Sequence, residues 1–239
     1  MSEELKISIA GRAIGPAHPP YVIAEMSGNH NGEIERAFAI MQAAKEAGAD
    51  ALKMQTYTAD TITIDHDGPG FTIKGTAWEG RTLHDLYKEA HTPWDWHKPI
   101  FERARALGIP VFSSPFDFTA VDLLESLGAP AYKIASFEAI DIPLIEKAAS
   151  TGKPLIISTG LATREEVAEA IAAARKAGGQ SPAILHCIST YPTKYEDCNL
   201  RVPRQGFSRP KHLRACALPA NRRSRHRRCG IYQNRCRRP

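Results

Sequence analysis

Between Tyr21 and about Leu200, short apolar runs alternate with stretches whose apolar residues recur at helical spacing. The first run is YVIAEM (21–26). It leads into a helix predicted from Gly32 to Ala47, with Asn31 as N-cap, Gly48 as its stop, and Ile34, Phe38 and Met41 on one face. The second run is ALKMQ (51–55), followed by residues 56–92, which are rich in Thr, Asp and Gly. A connection of that length predicts a functional loop with short elements of its own. Trp94 to Leu107 then reads as a helix, IPVFSS (109–114) as a strand, and Asp117 caps a helix to Leu127. AYKIAS (131–136), a helix from Ile142 to Ser150, and PLIIS (154–158) continue the alternation. Thr163 caps a helix to Ala177, with Glu166 completing a capping box and Gly178 ending it; AILHC (183–187) is the sixth strand.

Repeated strand–helix units predict an α/β fold with a parallel sheet and right-handed crossovers. Doubly wound and barrel folds share that pattern. No G-x-G-x-x-G follows the first strand, which counts against a dinucleotide-binding sheet. Polar residues recur at the strand ends: Glu25; Lys53 and Gln55; Ser113 and Ser114; Lys133 and Ser136; Ser158 and Thr159; His186 and Ser189. A barrel gathers such residues at one mouth, so the expected fold is a TIM-type (β/α)8 barrel. It is expected to be incomplete, with about six of eight β/α units, and its first and sixth strands are expected to stand as exposed edges.

Charge divides the 239-residue chain. The net +5 combines 31 Lys+Arg with 26 Asp+Glu, but residues 202–239 hold 12 of the basic residues and no acidic one. Residues 1–201 are therefore acidic, and form the predicted barrel segment. Residues 202–239 read as a basic, disordered tail, since clustered arginines repel and no helical face recurs there. Apolar residues make up 43% of the chain, which can supply a sizeable core. No run approaches the roughly 18 apolar residues of a membrane span. The opening MSEELKISIA lacks a secretory pattern, and five irregularly spaced cysteines suggest no disulfide framework. A reducing cytoplasm is the expected location, with no membrane partner.

The strand lysines Lys53 and Lys133 carry the sharpest chemical signal. A strand-end lysine in a barrel mouth binds an anion or forms a Schiff base; the alternative is a side chain that snorkels to solvent. Glu25 suits proton transfer, or else pairs with a lysine for structure alone. Ser114, Ser136, Ser158 and Thr159 each suit a turn or cap, but together with two lysines they suggest a small dianionic ligand. His186 reads first as a hydrogen-bonded structural histidine, and His30 and His66 show no metal-ligand spacing.

IAEMSGNHNG (23–32), ALKMQTYTADTITID (51–65), LYKEAHTPWDWH (86–97), FSSPFD (112–117), YKIASFE (132–138), IISTG (156–160) and HCISTYPT (186–193) together resemble the sialic acid synthase superfamily. The resemblance covers roughly residues 5–201. It implies a condensation in which C3 of phosphoenolpyruvate adds to the aldehyde of an open-chain acetamido sugar, water attacks C2, phosphate leaves and a nine-carbon 2-keto acid forms. SGNHNG, QTYTADT and TPWDWH are most similar to the branch that uses 2,4-diacetamido-2,4,6-trideoxy-L-altrose. The resemblance implies that Lys53, Ser114, Lys133, Ser136, Ser158 and Ser189 bind phosphoenolpyruvate, that Gln55 and Tyr191 bind the sugar, and that Glu25 handles the proton. It also implies a divalent metal, Mn or Mg, held by histidines of an SDH motif and a later E-K-H stretch. Neither motif occurs in this sequence, so no metal residue is assigned. An antifreeze-like C-terminal domain, implied along with a homodimer, is likewise not found, which counts against the homodimer. These departures lead to an expectation of little or no activity.

The change of composition at Val202 is what a shift of reading frame in a GC-rich gene would produce; sequencing beyond the Arg201 codon tests this, and no SDH-containing sequence in either other frame would refute it. Three other readings remain open: a synthase acting on another acetamido sugar, a Schiff-base aldolase using Lys53 or Lys133, and a nucleic-acid binder acting through residues 202–239, the last disfavoured against an unselected tail. Borohydride trapping with pyruvate is the test that addresses the aldolase.

Overall fold

The computed structural model describes residues 7–15, 17–74, 78–188, 214–216 and 231–235. The chain enters through a hairpin of β1 (Ile7–Ile9) and β2 (Arg12–Ile14), which the hydrophobic pattern does not announce. Its two-residue turn places Ala10 and Gly11 at positive φ, the backbone that matches the twist of paired strands.

The expected six β/α units follow as parallel neighbours. They are β3 (Tyr21–Glu25) with α1 (Ile34–Glu46); β4 (Ala51–Thr56) with α2 (Ala59–Ile62), α3 (Leu83–Ala90) and α4 (Trp94–Leu107); and β5 (Val111–Pro115) with α5 (Phe118–Ser126). β6 (Tyr132–Ile134) leads through a 3-10 turn, Phe137–Ile140, to α6 (Ile142–Ser150); β7 (Leu155–Ser158) precedes α7 (Arg164–Lys176); and β8 (Ala183–His186) is the sixth. The strands pair in sequence order, each parallel to the next.

Alternation along these strands separates two cores. One face packs against the helices through Leu52, Met54, Val111, Tyr132, Ile134, Leu155, Ile157 and Ile184. The other face carries Tyr21, Ile23, Ala51, Phe112, Ala131, Ile156, Ala183 and Leu185, which pack with Ile7, Ile9 and Ile14 of the hairpin. The hairpin thus fills the interior at the N-terminal ends of the strands and leaves the C-terminal ends to a different use.

Local signals act largely as expected. Thr163 and Glu166 exchange hydrogen bonds in a capping box, and Asp117 Oδ1 accepts from the Ala120 N–H. The long connection holds α2 and α3. Two readings change. Helix α1 starts at Ile34 with Glu33 at the N-cap position, because Asn31 and Gly32 both adopt positive φ and hold the chain in a turn. The strand edges are also covered: β9 (Arg214–Cys216) runs parallel to β8, and β10 (Ile231–Arg235) runs parallel to β3. The first and sixth barrel strands are therefore not exposed edges. A parallel edge recruits a strand through backbone N–H and C=O groups, which a search for apolar runs does not detect. Among the described residues, no helix is long and apolar enough to cross a membrane.

Candidate active site

The same alternation that separates the cores sorts the polar residues at the strand ends. Continuing the inward rows beyond the apolar layer gives Glu25 on β3, Lys53 and Gln55 on β4, Ser114 on β5, Lys133 on β6 and Ser158 on β7. Register confirms the adjacency: Glu25 lies beside Lys53, and Gln55 beside Ser114. Five strands thus bring one carboxylate, two ammoniums and two hydroxyls to a single mouth, with Gln55 among them.

Glu25 and Lys53 form a buried ion pair, Oε2 to Nζ 2.7 Å. Lys53 Nζ also donates to Ser114 Oγ at 3.4 Å. The other carboxylate oxygen of Glu25 accepts from Ser27, at 3.1 Å from its N–H and 2.9 Å from its hydroxyl. Ser27 adopts φ +47°, which turns the chain back so that both donors reach Glu25.

Lys133 is 7% exposed and makes no hydrogen bond or ion pair with a described residue. Burial, and then the neighbouring Lys53 cation, pull its ammonium down to about 8; the charges of Glu25, Cys187 and Glu138 act in the opposite direction. Since Lys53 already has a carboxylate, Lys133 supplies cationic charge that a small anion would satisfy.

Three further groups lie at or beside the mouth that the sequence does not single out. Glu138 lies two positions beyond Ser136 in the 3-10 turn. Its Oε2 is buried without a hydrogen-bond partner among the described residues, and burial raises its carboxyl, opposed by its own backbone N–H and by Lys133. A second carboxylate just beyond a strand end was the available signal. Tyr87, from α3, lies close by: burial and the Glu138 charge both raise its hydroxyl. Cys187 is a free thiol in line with Ala183 and Leu185. Its Sγ lies 3.3 Å from Ser136 Oγ and accepts from the Gly160 N–H at 3.2 Å.

Other strand-end polar residues face the helices instead. Ser113 and Thr56 are hydrogen-bonded at 2.7 Å, and Thr56 Oγ1 meets His97 Nε2 at 2.9 Å. His97 Nδ1 donates to the Pro93 carbonyl at 3.1 Å, so Nε2 is the acceptor, Thr56 donates to it, and Ser113 donates to Thr56. Burial lowers the His97 imidazole, which keeps it neutral. His30 is structural too: Nδ1 accepts from the Gly32 N–H, Nε2 meets Thr92 Oγ1 at 3.3 Å, and the ring stacks edge-on with Trp96. Gly28 passes so close to α3 that a Cβ would lie 2.9 Å from the Ala90 carbonyl oxygen. SGNHNG and TPWDWH therefore brace each other beside the mouth. Thr159 spends its hydroxyl on the Leu185 carbonyl, and His186 follows Ile184 on the helix-facing row. Ser189 and Tyr191 lie outside the described residues. No group of three or more His, Cys, Asp or Glu able to hold a metal occurs among the described residues.

The pattern of the NeuB family matches residues 40–205. Pseudaminic acid synthase of Helicobacter pylori is 48% identical over 182 residues, which are 76% of this chain and 54% of that protein. N,N'-diacetyllegionaminic acid synthase of Legionella pneumophila is 38% identical over 186 residues, 76% of this chain and 52% of that protein. The chain thus spans about half the length of the curated relatives it matches. Among solved structures, N-acetylneuraminic acid synthetase of Leptospira borgpetersenii, in complex with citrate, superposes with a TM-score of 0.79 at 25% identity, covering 96% of this chain and 77% of that one.

Proposed function

This chain belongs to the NeuB family, and from that premise we propose that its barrel mouth binds phosphoenolpyruvate and condenses it with an acetamido sugar. The observation that carries the reading is the convergence of Glu25, Lys53, Ser114, Lys133 and Ser158 from five strands onto one inward face. Lys53 and Lys133, with the hydroxyls of Ser114, Ser136 and Ser158, hold the carboxylate and phosphate of phosphoenolpyruvate; Ser189 belongs to the same set by resemblance. Gln55 and Tyr191 hold the sugar. C3 of phosphoenolpyruvate attacks the sugar aldehyde, water adds at C2, and the C2–O bond to phosphate breaks to give a nine-carbon 2-keto acid.

Glu25, fixed by Lys53 and Ser27, stands beside the anion site and takes the proton of the attacking water. Glu138 complements it. Its raised carboxyl suits a group that offers a proton or hydrogen bond to the sugar oxygen on which charge develops. The divalent metal implied by the family lacks a ligand group among the described residues, and none of these steps is routed through it.

The sugar we propose is 2,4-diacetamido-2,4,6-trideoxy-L-altrose, supported by the higher identity to pseudaminic acid synthase than to N,N'-diacetyllegionaminic acid synthase. Phosphate release from phosphoenolpyruvate, followed with Mn²⁺ and a panel of acetamido sugars, is the test. Release is expected to be weak, far below that of a full-length relative, and to depend on the trideoxy altrose; a rate near that of a full-length relative would refute the expected impairment. Release with another sugar would move the specificity, and binding of neither phosphoenolpyruvate nor any sugar would overturn the reading.

A further inference from the structure

Two lysines face the mouth, but they are not equivalent. Lys53 is committed to Glu25 at 2.7 Å and to Ser114. Lys133 is 7% exposed, bonds to no described residue, and points from β6 into the space that the ion pair borders. A buried lysine beside a second cation is the arrangement that turns an ammonium into a nucleophilic amine. We infer that Lys133 is a Schiff-base nucleophile in the unliganded site and captures small 2-oxo acids, of which pyruvate is the simplest, as a covalent imine.

The inference rests on the proposed carboxylate-binding mouth. The carboxylate of the 2-oxo acid pairs with Lys53 and the hydroxyl of Ser114 or Ser158, which brings its C2 carbonyl to the free amine. The Nζ lone pair forms a bond to C2 while the carbonyl π bond opens. The carbinolamine oxygen takes a proton from the Glu138 carboxyl and a second from nitrogen, leaves as water, and the C=N bond remains. No oxidant or other reactant is needed. Condensation and imine formation do not conflict in this site. Bound phosphoenolpyruvate neutralises Lys133 as an ion pair and keeps it protonated, whereas an empty site releases the amine. Borohydride trapping therefore reports the state of Lys133 and does not by itself separate a synthase from an aldolase.

The test is reduction with borohydride in the presence of pyruvate, followed by peptide mapping of the full chain, with phosphoenolpyruvate binding measured by calorimetry on the same sample. Expected is a saturable N-(1-carboxyethyl) adduct on Lys133, with labelling several-fold above that of any other lysine, rising between pH 7 and 9 in accord with an amine near 8. Phosphoenolpyruvate should suppress it. Lys133→Arg should abolish the adduct while the circular dichroism spectrum is retained. Labelling spread evenly over surface lysines, in a protein that binds phosphoenolpyruvate, would overturn the inference and leave the proposed function standing. An adduct on Lys133 without phosphoenolpyruvate binding would support the inference and count against that function. Absence of both would remove both.

Discussion

Lys53 Nζ stands 2.7 Å from Glu25 Oε2, and both side chains are 3% exposed. Each charge is bearable at that depth because of the other. Lys53→Met leaves the carboxylate buried without its counter-charge, and a loss of about 3–5 kcal/mol is expected. In the double variant Glu25→Gln/Lys53→Met, the loss should be smaller than the sum of the two single losses. Urea unfolding of the four proteins reads this directly, and strict additivity would show the pair to be uncoupled.

The proposed function predicts that Lys133 sets the pH dependence of phosphoenolpyruvate binding. In the proposed binding mode phosphoenolpyruvate pairs with the ammonium form, which burial and the Lys53 cation pull down to about 8 in the empty site. Binding therefore leaves affinity nearly level at lower pH and draws in a proton above that value. The dissociation constant should rise by up to about tenfold per pH unit above the titration. Calorimetry in two buffers of different ionisation enthalpy should show net proton uptake at pH 9, and an affinity level from pH 7 to 10 would exclude this linkage.

Ser113 and Ser114 are adjacent, chemically identical and on opposite faces. Ser114→Ala should weaken phosphoenolpyruvate binding several-fold while leaving the melting temperature nearly unchanged. Ser113→Ala removes the donor to Thr56 and should cost about 1–2 kcal/mol of stability without altering phosphoenolpyruvate affinity. Paired binding and melting measurements would reveal an exchange of these two phenotypes, which would refute the assignment of faces.

His97 contributes stability as a neutral imidazole. Its folded value lies below the ordinary 6.5, so the unfolded chain binds the proton more readily, and stability is lost as pH falls from about 6.5 through the lower folded value. His30 is shifted in the same direction and adds to the slope. His97→Ala should cost about 2 kcal/mol at neutral pH, since Thr56 loses its buried acceptor, and should flatten the acid limb of the stability curve. An unchanged acid limb in that variant would assign the loss elsewhere.

Cys187 lies where an added group would enter the proposed anion site, beside Ser136 and the Gly160 N–H. Carbamidomethylation by iodoacetamide should weaken phosphoenolpyruvate binding by at least about tenfold, since a new group in a well-packed pocket forces displacement or exclusion. Phosphoenolpyruvate should slow the modification. Mass spectrometry of Cys187 with and without ligand provides the check, and equal rates would place the thiol outside the pocket.

The extent of sequence legibility follows from which interactions are local. The capping box at Thr163, the Asp117 cap and the period of the apolar residues lie within a few positions of one another, so six β/α units could be read directly. Glu25, Lys53, Ser114, Lys133 and Ser158 were also recoverable, because a parallel sheet places every C-terminal strand end on the same side. The entry hairpin was missed because its three-residue strands give too short a period to detect. The pairing of β9 and β10 was missed because backbone groups rather than apolar side chains make it.

The sequence by itself determined the order of the elements, the parallel direction of the sheet and the residues at its C-terminal rim, since periodicity and capping are properties of neighbouring residues. Only the tertiary structure decided which rim residues share the mouth. A shift of one position along a strand reverses the face, so Ser114 faces Lys53 while Ser113 joins Thr56 and His97. It also decided that the two lysines differ. Lys53 is paired with a carboxylate, whereas Lys133 is buried without a bonded partner among the described residues, and that distinction depends on contacts between strands which no local pattern records.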